Sequence, residues 1–297
     1  MSAELDYLPA AESFLDLVRA DAGDPASARA VVIPFGLEAS VSYGAGTAAG
    51  PAAILAASHQ LELYDEELGC EPYRSWGVAA LREPAVARPI AAALTQLQAI
   101  VQTVVVAGKF PLVLGGEHSL TAAAVATLAA RHKDLVVVQL DAHADLRDGY
   151  QGERFSHAAA MRRVLDHPGV SLVSIGIRSI SQEEVDFYEA HRDRIAIHWA
   201  KDQARWSLDD ITAPLEGRPI YLTFDIDALD ASLMPATGTP TPGGLGYWQA
   251  LALLRRICER GEVVGADLVE LAPIPGLHAC DYTAAAIAYK LLSYALR

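Results

Sequence analysis

The run VVVQLDAHADL, residues 136–146, restricts this chain more than any other stretch. Its first half reads as a buried strand, apolar at consecutive positions and therefore covered on both faces. Its second half sets Asp141, His143 and Asp145 at alternate positions. In an extended chain such residues share one face, about 6–7 Å apart per pair. Three ionisable groups stacked at the end of a buried strand carry a heavy desolvation cost unless something compensates them. A metal ion is the simplest compensation.

The same kind of apolar run recurs as VVIPF at 31, WGVAA at 76, FPLVLGG at 110, VSLVSIGI at 170, RIAIH at 194, PIYLTFDID at 219 and EVVGADLVE at 262. Helical patterns separate the runs, at 89–107, 119–132, 157–167, 181–190, 244–260 and 280–296. This alternation predicts an α/β fold: one three-layer domain spanning 1–297, a parallel sheet with helices on both faces. Residues 1–30 are expected to pack over it as an N-terminal extension. Pro51 suits the first turn of a helix opening at AAILAAS, and Ser156 is placed to cap a helix starting at His157. With 52% of its residues hydrophobic and 20% charged, the chain has material for a sizeable core.

A net charge of −14 argues against a nucleic-acid partner and is compatible with a cationic substrate. Cys70, Cys258 and Cys280 are scattered, odd in number and outside any CxxC pattern, which predicts a reduced, cytoplasmic setting. The N-terminus MSAELDYLPAAESF lacks the basic and apolar regions of a signal peptide. No apolar run approaches the length of a membrane span, so no membrane association is expected.

Two more polar clusters end apolar runs. FPLVLGGEHSL presents Glu117 and His118, and PIYLTFDIDALD presents Asp225 and Asp227, again at i and i+2. Ligand sites of open parallel sheets form at the carboxyl ends of strands, so His118, Asp141, His143, Asp145, Asp225 and Asp227 can converge. Four carboxylates and two imidazoles suit two cations with bridging carboxylates. Hard oxygen ligands favour Mn²⁺ over a structural Zn²⁺. Each cluster alone would also pass for a cap or a turn; their shared position at strand ends argues for the metal reading. The stretch TGTPTPGGLGY at 237–247 reads as a loop, and without GxxxxGK[ST] it is no phosphate cradle.

GGEHS, DAHAD, SH followed by AAAMRR, YLTFDIDALD, TGTPTPGGL and GADLVELAP, in this order, resemble the ureohydrolase family of arginases and agmatinases, most closely the prokaryotic agmatinases. The resemblance covers the chain from about residue 41 onward. It implies an arginase-like domain with an eight-stranded parallel sheet, two Mn²⁺ per subunit and assembly as a homotrimer or homohexamer. By motif, one ion falls to His118, Asp141, Asp145 and Asp225, and the other to His143, Asp141, Asp225 and Asp227. Glu117 stands where many members have Asp; it is not a ligand, and little consequence is expected.

The implied chemistry is hydrolysis of a guanidino group by a metal-bridging hydroxide. Asp145 is expected to accept its proton. Glu270 matches the carboxylate that pairs with the guanidinium, and His157 matches the active-site histidine that shuttles a proton to the leaving amine. Spacing alone would leave His157 a helix-start residue and Glu270 a surface residue. His59, His132, His167, His191 and His198 match no ligand position, and His278 stays open. A one-metal zinc deacetylase of similar fold would need an HH dipeptide, which is lacking. A non-enzymatic relative would be expected to have lost a ligand, and none is lost.

Arginases read the amino-acid end of arginine with an SGN segment, where this chain has GYQGERFSH. Agmatine, cleaved to putrescine and urea, is therefore the expected substrate. N1-aminopropylagmatine, 4-guanidinobutyrate and arginine remain alternatives, with Arg147 and Arg154 the residues able to hold a carboxylate.

Overall fold

The computed structural model describes residues 5–297, so the first four residues of the expected extension lie outside it. All eight apolar runs are strands: β1 Ala30–Phe35, β2 Val78–Ala80, β3 Phe110–Gly115, β4 Val136–Leu140, β5 Ser171–Ile177, β6 Ile195–Trp199, β7 Pro219–Asp225 and β8 Glu262–Val269. They form one sheet in the order β2-β1-β3-β8-β7-β4-β5-β6, with every pairing parallel.

Consecutive apolar residues explain the three layers, because successive side chains leave a strand on opposite faces. Val136, Val138 and Leu140 of β4 join one core, with Leu112 and Leu114 of β3 and Ile220, Leu222 and Phe224 of β7. Val137, Val113 and Tyr221 join the other. The helices Gly50–Ser58, Tyr247–Arg260 and His278–Ala295 cover the first face. Ile90–Val106, Thr121–Ala129 and Ala160–Val164 cover the second. Ahead of β1, Phe14 is fully buried and the Leu8 N–H donates to the Ala80 carbonyl at 2.9 Å, so this segment lies along the short edge strand β2.

Strand order places the site. From β3 the chain passes through Thr121–Ala129 and re-enters the sheet at β4, leaving two positions that β7 and β8 fill later. Such a switch point opens a crevice at the carboxyl ends of the strands around it. Those strands are β3, β8, β7 and β4, the four that carry the singled-out polar residues.

The two glycines of GGEHS answer to close packing. A Cβ on Gly116 would sit 2.1 Å from the Leu37 carbonyl oxygen, and one on Gly115 would sit 2.2 Å from the Leu120 side chain. Their absence lets the end of β3 run beneath the 36–44 loop, where the Glu117 N–H donates to the Leu37 carbonyl at 2.7 Å. Arg178 fastens the 237–247 loop, its Nη2 donating at 2.7 Å to both the Asp227 and Thr241 carbonyls. Ser156 stands at the expected cap position but its side chain makes no cap hydrogen bond. The Ser40 hydroxyl, from the 36–44 loop, accepts the His157 N–H at 2.9 Å instead. Among the described residues no helix is long and apolar enough to cross a membrane.

Candidate metal centre

All six residues expected to bind metal converge. Around Nδ1 of His118, which follows β3, lie Oδ2 of Asp141 at 3.1 Å, Oδ2 of Asp145 at 3.1 Å and Oδ2 of Asp225 at 3.3 Å. This nitrogen is buried, yet none of the three oxygens is aligned to hydrogen-bond with it. Three carboxylate oxygens and a ring nitrogen that crowd together without bonding one another are what ligands around a shared cation look like. A second group pairs Nδ1 of His143 with Oδ2 of Asp227 at 2.9 Å and Oδ1 of Asp141 at 3.7 Å. Asp141 thus faces both groups, one oxygen to each. The Oδ1 of Asp225 accepts the Asp227 N–H at 2.9 Å.

The electrostatics show a deficit of positive charge. Burial opposes charging His118, but Asp141, Asp145 and Asp225 hold its pKa well above the usual imidazole value. Burial likewise opposes His143, which Asp227 and Asp141 push up to about 12. Asp225 is raised well above the carboxylate range, first by burial and then by the charges of Asp227 and Asp141. The shifts share one cause, four buried carboxylates with too little positive charge beside them, and divalent cations would supply that charge. The residues present fit such ions.

Partners outside the cluster orient it. Nε2 of His118 lies 2.8 Å from Oγ1 of Thr223, whose hydroxyl donates to Oδ1 of Asp267 at 2.6 Å. With that proton committed to a carboxylate, Nε2–H must be the donor to Thr223, which leaves the Nδ1 lone pair facing the carboxylates. The Gln139 amide donates to Oδ2 of Asp141 at 2.7 Å and to the His143 carbonyl at 3.0 Å. Asp145 and Glu270 hold left-handed backbone, φ 53° and 67°. Non-glycine residues in that region cluster at functional sites, where surrounding contacts sustain the strain.

A chamber of 160 Å³ opens beside the cluster and is also lined by Glu270, His157 and Arg147. Burial pushes the Glu270 carboxyl up to about 8, and its Oε1 accepts the His118 N–H at 2.6 Å. The Arg147 guanidinium lies over the Tyr150 ring, 5.1 Å from its centroid, with Nε 3.9 Å from Oε2 of Glu184. Arg154 pairs with Asp166 at 3.1 Å and does not line the chamber. His278 is exposed, and His59 packs by its Nε2 against the Ser13 carbonyl at 2.8 Å.

Glu117, expected only to precede a ligand, has a supporting place of its own. Its side chain is buried and accepts four hydrogen bonds, from the Ala39 and Ser40 N–H groups and the Ser40 and Ser119 hydroxyls, at 2.5–2.8 Å. A residue beside a ligand here supports a loop of the chamber. Thr223, Asp267, Gln139 and Ser40 were also missed. A carboxylate inside the apolar run VVGADLVE was the available signal for Asp267, since buried charge demands partners.

The sequence profile of the Arginase family matches residues 28–294. The chain is 38% identical over 280 residues to the N(1)-aminopropylagmatine ureohydrolase of Synechocystis, covering 91% of this chain and 90% of that one. It is 36% identical to an agmatinase of Bacillus anthracis, over 82% of this chain and 83% of the relative. The crystal structure of the agmatine ureohydrolase of Thermoplasma volcanium superimposes with a TM-score of 0.84 at 28% identity, covering 96% and 94% of the two chains. With its eight-stranded parallel sheet and a His/Asp cluster able to bind metal, the chain belongs to the arginase family, whose members are binuclear-metal ureohydrolases.

Proposed function

We propose that this chain hydrolyses the guanidino group of an amine-terminated substrate, N1-aminopropylagmatine in first place and agmatine in second, releasing urea. The observation that carries the hydrolytic reading is the convergence of His118, Asp141, Asp145, His143 and Asp227 into two metal-capable groups sharing Asp141. Two Mn²⁺ ions would be held there, the first by His118, Asp141, Asp145 and Asp225 and the second by His143, Asp141, Asp225 and Asp227. Bound divalent ions supply Lewis acidity and a water acidic enough to attack near neutral pH.

The chain's own groups do the rest. Glu270, in the same chamber, pairs with the planar guanidinium and orients its carbon. Asp145 takes the proton of the attacking water, and His157 delivers one to the departing amine nitrogen.

Agmatine ranked first on sequence alone; three observations favour the longer polyamine. The Synechocystis relative acts, by its name, on N(1)-aminopropylagmatine. Across Val41 and Tyr150 the chamber adjoins a second cavity of 580 Å³, which leaves room for an aminopropyl arm. A net charge of −14 also favours the more highly charged cation. One observation supports a second reading, a guanidino acid: Arg147 lines the chamber stacked over Tyr150, with its nearest carboxylate 3.9 Å away and so able to take a substrate carboxylate.

Urea release from N1-aminopropylagmatine, agmatine, 4-guanidinobutyrate and arginine under identical Mn²⁺ conditions decides among them. The amine-terminated compounds should exceed arginine in kcat/KM by about 10²-fold or more, roughly 2.7 kcal/mol. First place for a guanidino acid would transfer the assignment to the Arg147 reading.

A further inference from the structure

His157 sits on the chamber wall, with the Tyr150 ring edge-on at 6.2 Å. Its Nδ1 lies 3.1 Å from Oγ of Ser40. That hydroxyl has two other partners, Oε1 of Glu117 at 2.8 Å and the backbone N–H of His157 at 2.9 Å. A hydroxyl offers one proton and two lone pairs, so the three contacts fill it.

Where each proton lies can be counted. Glu117 also receives the Ala39 and Ser40 N–H groups on Oε2 and the Ser119 hydroxyl on Oε1. Four donors surround it, so the Ser40 proton points to Glu117. The His157 N–H occupies one Ser40 lone pair. The ring contact therefore fills the other, and only an Nδ1–H can make it. Nε2 is left with the lone pair.

We propose that Glu117 and Ser40 are positioning residues that lock His157 in its Nδ1–H tautomer, making Nε2 the atom that accepts and returns the proton. The inference rests on His157 acting in proton transfer, as set out above. The Ser156 hydroxyl is the one competitor, 3.4 Å from Nδ1. It lies farther away than Ser40.

The tautomer can be read without catalysis, from long-range ¹⁵N–¹H correlations of the full-length, ¹⁵N-histidine-labelled protein loaded with diamagnetic Mg²⁺. The His157 signal is assigned by its loss in His157→Ala. Wild type should show Nδ1–H. Glu117→Gln should reverse it: the amide NH₂ donates to Ser40, whose proton then turns to Nδ1, leaving Nε2–H. With Mn²⁺ bound, that variant should lose about 10²-fold or more in kcat, as expected of a histidine held in the wrong tautomer, with metal content retained. Ser40→Ala should populate both tautomers and lower kcat more than it changes KM. Ser40→Thr should restore most of the rate, and Ser156→Ala should change neither tautomer nor rate.

An Nε2–H tautomer in wild type overturns the proposal. So does an unreversed tautomer with full kcat in Glu117→Gln or, if that variant does not fold, full kcat with one tautomer in Ser40→Ala. Should His157→Ala itself turn over normally, the proton-transfer role of His157 fails, while the tautomer spectra still report whether the lock exists.

Discussion

Two histidines of this protein are held by the same device and present opposite ring nitrogens. His118 meets Thr223, which donates to Asp267; His157 meets Ser40, which donates to Glu117. Both carboxylates are buried, Asp267 at 0% exposure and Glu117 at 1%. In each pair the hydroxyl gives its proton to the carboxylate and so forces the ring to donate to it. The free nitrogen differs. His118 keeps Nδ1 free among three carboxylates, and His157 keeps Nε2 free beside the chamber. Their surroundings differ as well: the first relay is built within β7 and β8, whereas the second hangs on the 36–44 loop. In the proposed roles, His118 as a metal ligand would profit from the rigid strand mount.

The largest effect expected on either side comes from the residue both metal-capable groups share. Asp141→Ala should abolish retention of both ions and hydrolysis with them, checked by elemental analysis and urea release. Two ions retained in that variant would refute the sharing. His157→Ala should keep both ions and lower kcat by about 10²–10⁴-fold, the scale of general acid–base groups. Loss of metal in His157→Ala would merge two functions that the geometry separates.

The convergence of the candidate ligands was legible because five of the six stand at alternate positions at strand ends, Asp141, His143 and Asp145 after β4, Asp225 and Asp227 where β7 ends. Alternate spacing and an apolar run suffice to read such a pattern. The eight strands were legible for the same reason, since double-sided burial demands unbroken apolar runs. Sheet order was not, because which strands fill the gap between β3 and β4 depends on packing of segments far apart in the chain, Ala266 beside Leu112 and Ile220 beside Val136. Nor were the relays. Thr223 reads as ordinary strand filling, and Ser40 as one polar residue in a loop. Each acquires its role only when a carboxylate 44 or 77 residues away folds against it. Glu117 was dismissed because its neighbour His118 was the obvious ligand.

A smaller effect should fall on the first relay alone. In Asp267→Asn the amide can donate to Thr223, whose proton then turns to Nε2 of His118 and moves the ring proton to Nδ1, toward the carboxylates. Outer partners of this kind are worth about 10–100-fold in metal affinity. The ion at His118 should weaken by that factor in competition with a chelator, while the ion at His143 is little changed. Equal weakening of both would mean that the two groups are one cooperative unit.

The smallest effect tests which contact to Asp267 carries the orientation. Its Oδ1 accepts from Thr223 at 2.6 Å, and its Oδ2 from Tyr221 at 2.7 Å and Thr121 at 2.8 Å. Burial raises the Asp267 pKa against the pull of His118 and these hydroxyls. Tyr221→Phe keeps the ring that packs in the second core and removes one donor from an oxygen that still has another. The loss should be about 1 kcal/mol of stability in chemical denaturation, the usual net worth of one hydrogen bond. Metal affinity at His118 should stay within about threefold of wild type, because the Thr223 path to Nε2 is untouched. If Tyr221→Phe instead weakens that ion as much as Asp267→Asn does, the Asp267 carboxylate itself must shift when one donor leaves. The first relay would then be no stiffer than the second, and the contrast between the two histidines would rest on their exposed nitrogens alone.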